Sequence, residues 1–180
     1  IRELVLTRTY GLASEFDEAN FQTDPGNVFL WRMTRRRLEA EPIRDSILAA
    51  SGQLDLERPL GSAVTKMGEG EVGRGIKTEF LAEPFAHRTV YLPILRTKMP
   101  AFLKTFDYPE PSNPQGLRDA TNVPAQSLFL MNSPFVLEQS GHLAKRVLGE
   151  ETEQAERLET LWRLTLSRSP SGSELSLIHI

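Results

Sequence analysis

No cysteine occurs in the 180 residues. That absence removes disulfides, thiolate-held metals, iron–sulfur clusters, cysteine nucleophiles and a C-x-x-C-H haem attachment from this chain. Long apolar runs are missing as well. Nothing approaches the ~20 consecutive apolar residues of a membrane helix, so no membrane span is expected. Neither sign of charge dominates: 21 Lys plus Arg stand against 24 Asp plus Glu, a net charge of −3. Such a chain has no global attraction for nucleic acid or for anionic lipid, and any contact of that kind must be local. Histidine is scarce, and His87 and His142 have no partner at H-x-x-x-H spacing. No HExxH helix, carboxylate-rich metal loop or G-x-S-x-G elbow appears. The residues therefore nominate no metal ligand, no cofactor ligand and no catalytic group, and the catalytic residues, if any, stay unknown.

What is present is enough apolar material, 39% of the chain, for one domain with a sizeable core. The chain opens at Ile1 without methionine and directly in a helix-like pattern, which reads as an N-terminally truncated fragment. At the other end, Leu175 to Ile180 is the translation of the mosaic-end adapter of transposase-based sequencing libraries. Those six residues are expected to be an adapter-derived tail. The expected organisation is a single C-terminal domain over 1–174, with a flexible loop at about 55–78 and the tail at 175–180.

Helical periodicity and punctuation place the elements. Ile1 to Tyr10 suits a short helix stopped by Gly11. Ser14 to Asn27 reads as loop, closing on the turn tetrad Asp24-Pro25-Gly26-Asn27. Ile43, Ile47, Ala50 and Leu54 recur at helical spacing. Pro42 is tolerated only in a first turn, so that helix should start near Glu39 to Glu41 and weaken at Gly52. Gly61 to Gly75 is glycine-rich and aperiodic. It contains a literal G-x-G-x-x-G at Gly68 to Gly73, but no strand leads in, two glutamates would repel a pyrophosphate and no apolar helix follows, so a loop without nucleotide is expected. His87 to Pro93 has the β-branched and aromatic content of a strand. Helices are expected over Pro100 to Phe106, over Pro124 to Met131, from Pro134 to Gly149 with Val136, Ser140, Leu143 and Val147 inward, and from Glu153 to Ser167. The Tyr108 to Gly116 segment is a rigid connector. The fold class is thus mainly α: an irregular multi-helix domain with a small β element at 88–93 and long loops.

Several stretches together resemble a planctomycete C-terminal domain of unknown function. They are Trp31-Arg32, Arg35-Arg36-Arg37-Leu38-Glu39-Ala40-Glu41, Ile43-Arg44-Asp45, Ser51-Gly52, the arginine-led Arg88-Thr89-Val90-Tyr91-Leu92-Pro93, Phe106-Asp107, the block from Val123 to Val136, and Leu166-Ser167-Arg168-Ser169-Pro170 with Glu174-Leu175. Pro42, Asn122 and Ser167 depart from the pattern, where a helix former, threonine and glycine are usual. Such domains accompany cytochrome-c-like domains in large secreted planctomycete proteins. The resemblance therefore implies a periplasmic or secreted parent with haem c in an upstream part, upstream domains of the same chain as partners, and no established reaction.

One constellation carries chemistry. Arg32, Arg35, Arg36, Arg37 and Arg44 lie beside Glu39, Glu41 and Asp45, and Arg88 can join from the expected strand. Guanidinium forks suit carboxylate, sulfate or phosphate. Arg36, Arg37, Glu41, Arg44, Asp45 and Arg88 accordingly form either a structural polar network or an anion-binding site, for which an anionic polysaccharide is the candidate partner; nucleic acid is not expected. Trp31, Trp162, Phe129 and Phe135 sit in apolar registers and read as packing residues. Gln126 and Asn132 suit either a ligand or local capping. The leading functional expectation is a structural or interaction module of an extracytoplasmic multidomain haem protein, which the resemblance associates with a lineage of polysaccharide degraders; the rival is part of a carbohydrate-active enzyme whose site is shared with an upstream domain.

Overall fold

The computed structural model describes residues 1–62, 85–94, 99–151 and 153–178. Among them are eight α-helices and a single 3-10 turn, so the protein is mainly α. The helices are α1 (Arg2–Val5), α2 (Glu18–Thr23), α3 (Ala40–Ser51), α4 (Ala101–Thr105), α5 (Pro124–Asn132), α6 (Pro134–Glu150), α7 (Gln154–Leu166) and α8 (Gly172–Ile178). The chain divides into two compact units, Ile1–Leu38 and Glu39–Ile180. Most of the glycine-rich loop, with its G-x-G-x-x-G, lies outside the described residues.

In the first unit, the expected Ile1 to Tyr10 helix is confined to the four residues of α1. The polar stretch expected to be loop holds α2 instead. Asp17 caps it by accepting from the Asn20 amide at 2.8 Å. Six residues are too few to show an apolar stripe, and here the cap defines the helix.

In the second unit, α3 packs on α6 and carries the architecture. Its Pro42 falls in the first turn, where the missing amide costs no helix bond. Gly52 ends α3 at φ +75°, a left-handed cap in which a side chain would be strained. The most buried row of α3 is Ala40, Arg44, Leu48 and Ser51, with Ile43 and Ile47 half-buried beside it. The inward stripe therefore sits one position from the one expected on apolar spacing alone, and an arginine stands in its middle. On α6 a similar exchange occurs. Gln139 and Val147 are buried, whereas Ser140 is exposed and bonds back to the Val136 carbonyl. Gln139 tolerates burial because its Oε1 accepts from Ser51 Oγ at 2.8 Å across the helix pair.

Under α3 lies an aromatic core. Phe102 and Phe106 of the α4 region lie tilted by 35° with ring centroids 4.8 Å apart, and Phe102 meets Phe129 and Phe135 edge-on at 5.8 Å each. Edge-to-face rings at these separations are favourable beyond the area they bury. Ala40 and Leu103 complete the centre. Phe129 and Phe135 thus pack against the core, as their register suggested.

The expected strand at 88–93 is corrected. Thr89–Tyr91 is a 3-10 turn, and the sole β pairing among the described residues is an isolated bridge of Asp55 with His87. Thr-Val-Tyr has strand propensity, but propensity without a partner strand does not make a strand. Here the Thr89 amide and hydroxyl both donate to Asp45, at 2.7 and 2.5 Å, and those bonds set the local backbone.

Candidate functional site

Arg44 enters the interior because α3 must turn one face inward and its neighbours Ala40 and Leu48 are core. A buried guanidinium needs acceptors. It finds them on the segment before and within the 3-10 turn: the carbonyl of Phe85, the carbonyl of His87 at 3.3 Å and Thr89 Oγ1 at 3.1 Å. The rings of Phe85 and Phe135 lie 5.7 and 5.4 Å from its Cζ and offer their faces. Burial lowers the Arg44 pKa from its ordinary value, and the neighbouring charge of Asp45 opposes that shift. A guanidinium starts so far above neutrality that it remains cationic there.

The Thr89 hydroxyl is the pivot: it donates to Asp45 and accepts from Arg44. Asp45 then has one oxygen committed to Thr89, and its other faces Arg88 Nε at 3.7 Å. Arg88 is more than half exposed, so this last contact is weak in water. Arg44, Asp45 and Arg88 are thereby brought together around Thr89, which the cluster of arginines and acids expected from the sequence did not include.

Glu41 has a different partner. Its carboxylate accepts from Arg118 Nη1 at 2.7 and 2.9 Å, and Glu39 accepts from the same nitrogen at 2.7 Å. The Glu41 hydrogen bond raises the Arg118 pKa above its ordinary value. Arg118 also lies 5.6 Å from the Tyr108 ring. No local pattern could have revealed this pairing, because Arg118 follows a proline-rich connector and is aperiodic with α3. Arg36 and Arg37 belong to the first unit, whose boundary falls at Leu38.

Arg88 and Arg118 both line an open groove of about 780 Å³, with Glu41, Asp45 and Ser46 also on its polar side and Leu92 and Tyr108 among its apolar lining. Its charges are largely paired with one another, and Arg88, more than half exposed, makes the weakest of these contacts.

The remaining quoted motifs have structural positions. Gln126 is buried. Its Nε2 donates to the Thr105 carbonyl at 3.1 Å and to Thr121 Oγ1 at 3.2 Å, joining the start of α5 to the end of α4. Asp107, at φ +61°, accepts from the Thr121 amide at 2.8 Å and so closes the connector. Asn132 is exposed and donates to the Leu128 carbonyl of its own helix. In the closing motif, Ser167 caps α7 at φ +56°. That left-handed geometry suits the glycine that the resembled pattern carries there. Arg168 grips Glu174 through two bonds of 2.6 and 2.8 Å, and Glu174 also accepts from the Ser171 amide, a capping box for α8.

Among the described residues no group of three or more His, Asp and Glu is placed to hold a metal ion. No described helix is long and apolar enough to cross a membrane. A family described as "Protein of unknown function (DUF1553)" matches residues 1–179, and the chain belongs to it. No curated protein and no solved structure matches.

Proposed function

We propose that this DUF1553 domain is a structural or interaction module of an extracytoplasmic multidomain protein with haem c in an upstream domain. The observation that carries the module reading is the spending of Arg44. Its donors go to two backbone carbonyls and a threonine of its own chain, so the most buried cation among the described residues serves to pin the 3-10 turn onto α3. Glu41 is likewise engaged by Arg118. The secreted setting, the haem neighbour and the planctomycete lineage rest on the resemblance of the motifs quoted above.

A second reading has one observation in its favour. The groove beside α3 is lined by the exposed Arg88 together with Tyr108 and Ser46, groups suited to holding an anionic polysaccharide, alone or as part of a carbohydrate-active enzyme completed by an upstream domain. The two readings separate by experiment. Thermal melts and calorimetric titration with a sulfated and a carboxylated glycan are carried out on the parent, Arg44→Ala and Arg88→Ala. The module reading expects a large loss of stability in Arg44→Ala, little change in Arg88→Ala and no saturable glycan binding. Saturable binding abolished by Arg88→Ala at unchanged stability would overturn it in favour of the groove as a ligand site.

A further inference from the structure

From Asn27 to Leu38 the chain carries four arginines, Arg32, Arg35, Arg36 and Arg37, and no acid. Immediately ahead of them stand three consecutive apolar residues, Val28, Phe29 and Leu30, exposed to 76%, 83% and 53%. Leu30 and Asn27 both have positive φ, +54° and +53°. A branched apolar residue rarely adopts that conformation, so the loop holds a geometry that costs energy and turns apolar surface to solvent.

The loop is nevertheless held firmly. The buried Asp24 carboxylate accepts from the amides of Val28 and Phe29 at 2.9 and 2.7 Å. The Leu30 amide donates to the Asn27 carbonyl at 3.2 Å, and the Arg32 amide to Asn27 Oδ1 at 3.2 Å. The Trp31 indole donates to the Asp24 carbonyl at 2.9 Å. Below the tip Arg32 lies over the Trp31 and Phe16 rings at 4.6 and 5.6 Å. These amides are thus satisfied inside the loop. Entry into an apolar phase demands this, because no water there replaces a missing partner.

We propose that the Val28-Phe29-Leu30 tip is a contact for an anionic lipid surface. The three side chains enter the boundary of the hydrocarbon, and the exposed Arg35 and Arg36 meet lipid phosphates beside it. A bilayer offers phosphate oxygens and hydrocarbon in adjacent layers, and in this chain an acid-free run of exposed arginines follows the apolar tip closely in sequence. A protein partner would need a dedicated apolar pocket with an acidic rim. The net acidity of the whole chain does not oppose the contact, since charges beyond a Debye length are largely screened.

The test is co-sedimentation of the 180-residue chain with vesicles of phosphatidylglycerol and phosphatidylcholine, and with phosphatidylcholine alone. The parent should partition onto the anionic vesicles at low salt. Phe29→Asp should lower that partition on the order of tenfold or more, from the apolar burial forgone. Arg35→Gln with Arg36→Gln should lower it severalfold on anionic vesicles only, as added salt should for the parent. All three positions are exposed, so unchanged thermal melts keep loss of binding distinct from loss of fold. The proposal is overturned if the parent stays in the supernatant with anionic vesicles, or if Phe29→Asp binds as well as the parent. Self-association in sedimentation velocity, dissolved by Phe29→Asp and without vesicle binding, would assign the tip to a protein contact instead.

Discussion

The Asp24 loop of the first unit and the Arg44 network of the second solve the same problem with opposite chemistry. Each buries one charged side chain. Asp24 receives backbone amides of Val28 and Phe29 from its own loop. Arg44 instead donates to carbonyls and a hydroxyl more than forty positions away in sequence. The first is a local device that organises a display of apolar side chains, and the second is a long-range tie that holds a turn against a helix. A buried charge therefore says little by itself; the sequence distance to its partners says whether it shapes a loop or joins a fold.

Removing the long-range tie should have the largest effect. Arg44→Ala strands the Phe85 and His87 carbonyls and opens space beside Phe135, and should cost about 3 kcal/mol in chemical denaturation. Arg36→Ala, exposed and only a few turns away in sequence, should change stability by less than about 0.5 kcal/mol. Equal losses in the two variants would erase the distinction between the units' arginines.

Next comes the local device. Asp24→Ala leaves two amides without their acceptor and should cost about 2 kcal/mol where the loop is concerned. The sharper measurement is amide hydrogen exchange. Val28 and Phe29 should lose protection while amides in α3 and α6 keep theirs, and a uniform loss over the chain would mean that Asp24 is as long-range in effect as Arg44.

A smaller change, and a stabilising one, is expected at the end of α7. Ser167→Gly relieves a left-handed serine at φ +56° and should raise stability by roughly 0.5–1 kcal/mol. A lower melting temperature would show that the serine side chain contributes more than its backbone costs.

The smallest effect is a local titration. Arg168, with help from the Ser171 amide and hydroxyl, holds the Glu174 carboxyl well below the usual carboxylate range. A depressed carboxylate contributes stability above its unfolded pKa and loses it as pH falls through the folded one. The start of α8 should therefore stay ordered through the ordinary carboxylate range of about pH 4 and fray only in stronger acid. Carbon-detected NMR titration of Glu174 checks this, and a midpoint in the ordinary range would mean that the arginine grip is open in solution.

Much of this was legible in the residues. Proline and glycine punctuation located α3, α5 and α6, because a missing amide or a left-handed cap is a property of one residue and its neighbours. Arg44 and Asp45, both named in the motif block, lie on α3, and Arg88 precedes the 3-10 turn and faces Asp45. What spacing missed has one cause. Apolar periodicity assigns the inner face to Ile43 and Ile47, yet Arg44 and Ser51 are more buried, since a polar side chain can occupy a core row once a distant partner satisfies it.

By itself the sequence determined the helical class, the starts of α3, α5 and α6 and the stop of α3 at Gly52, the absence of thiol chemistry and the family. These follow from local backbone sterics, composition and residue order. Only the tertiary structure decided that Thr89 would join Asp45 to Arg44, that Glu41 would meet Arg118, and that a strand-like Thr-Val-Tyr would become a 3-10 turn. Each depends on groups far apart along the chain, and a hydrogen bond made across such a distance leaves no period for a sequence to display.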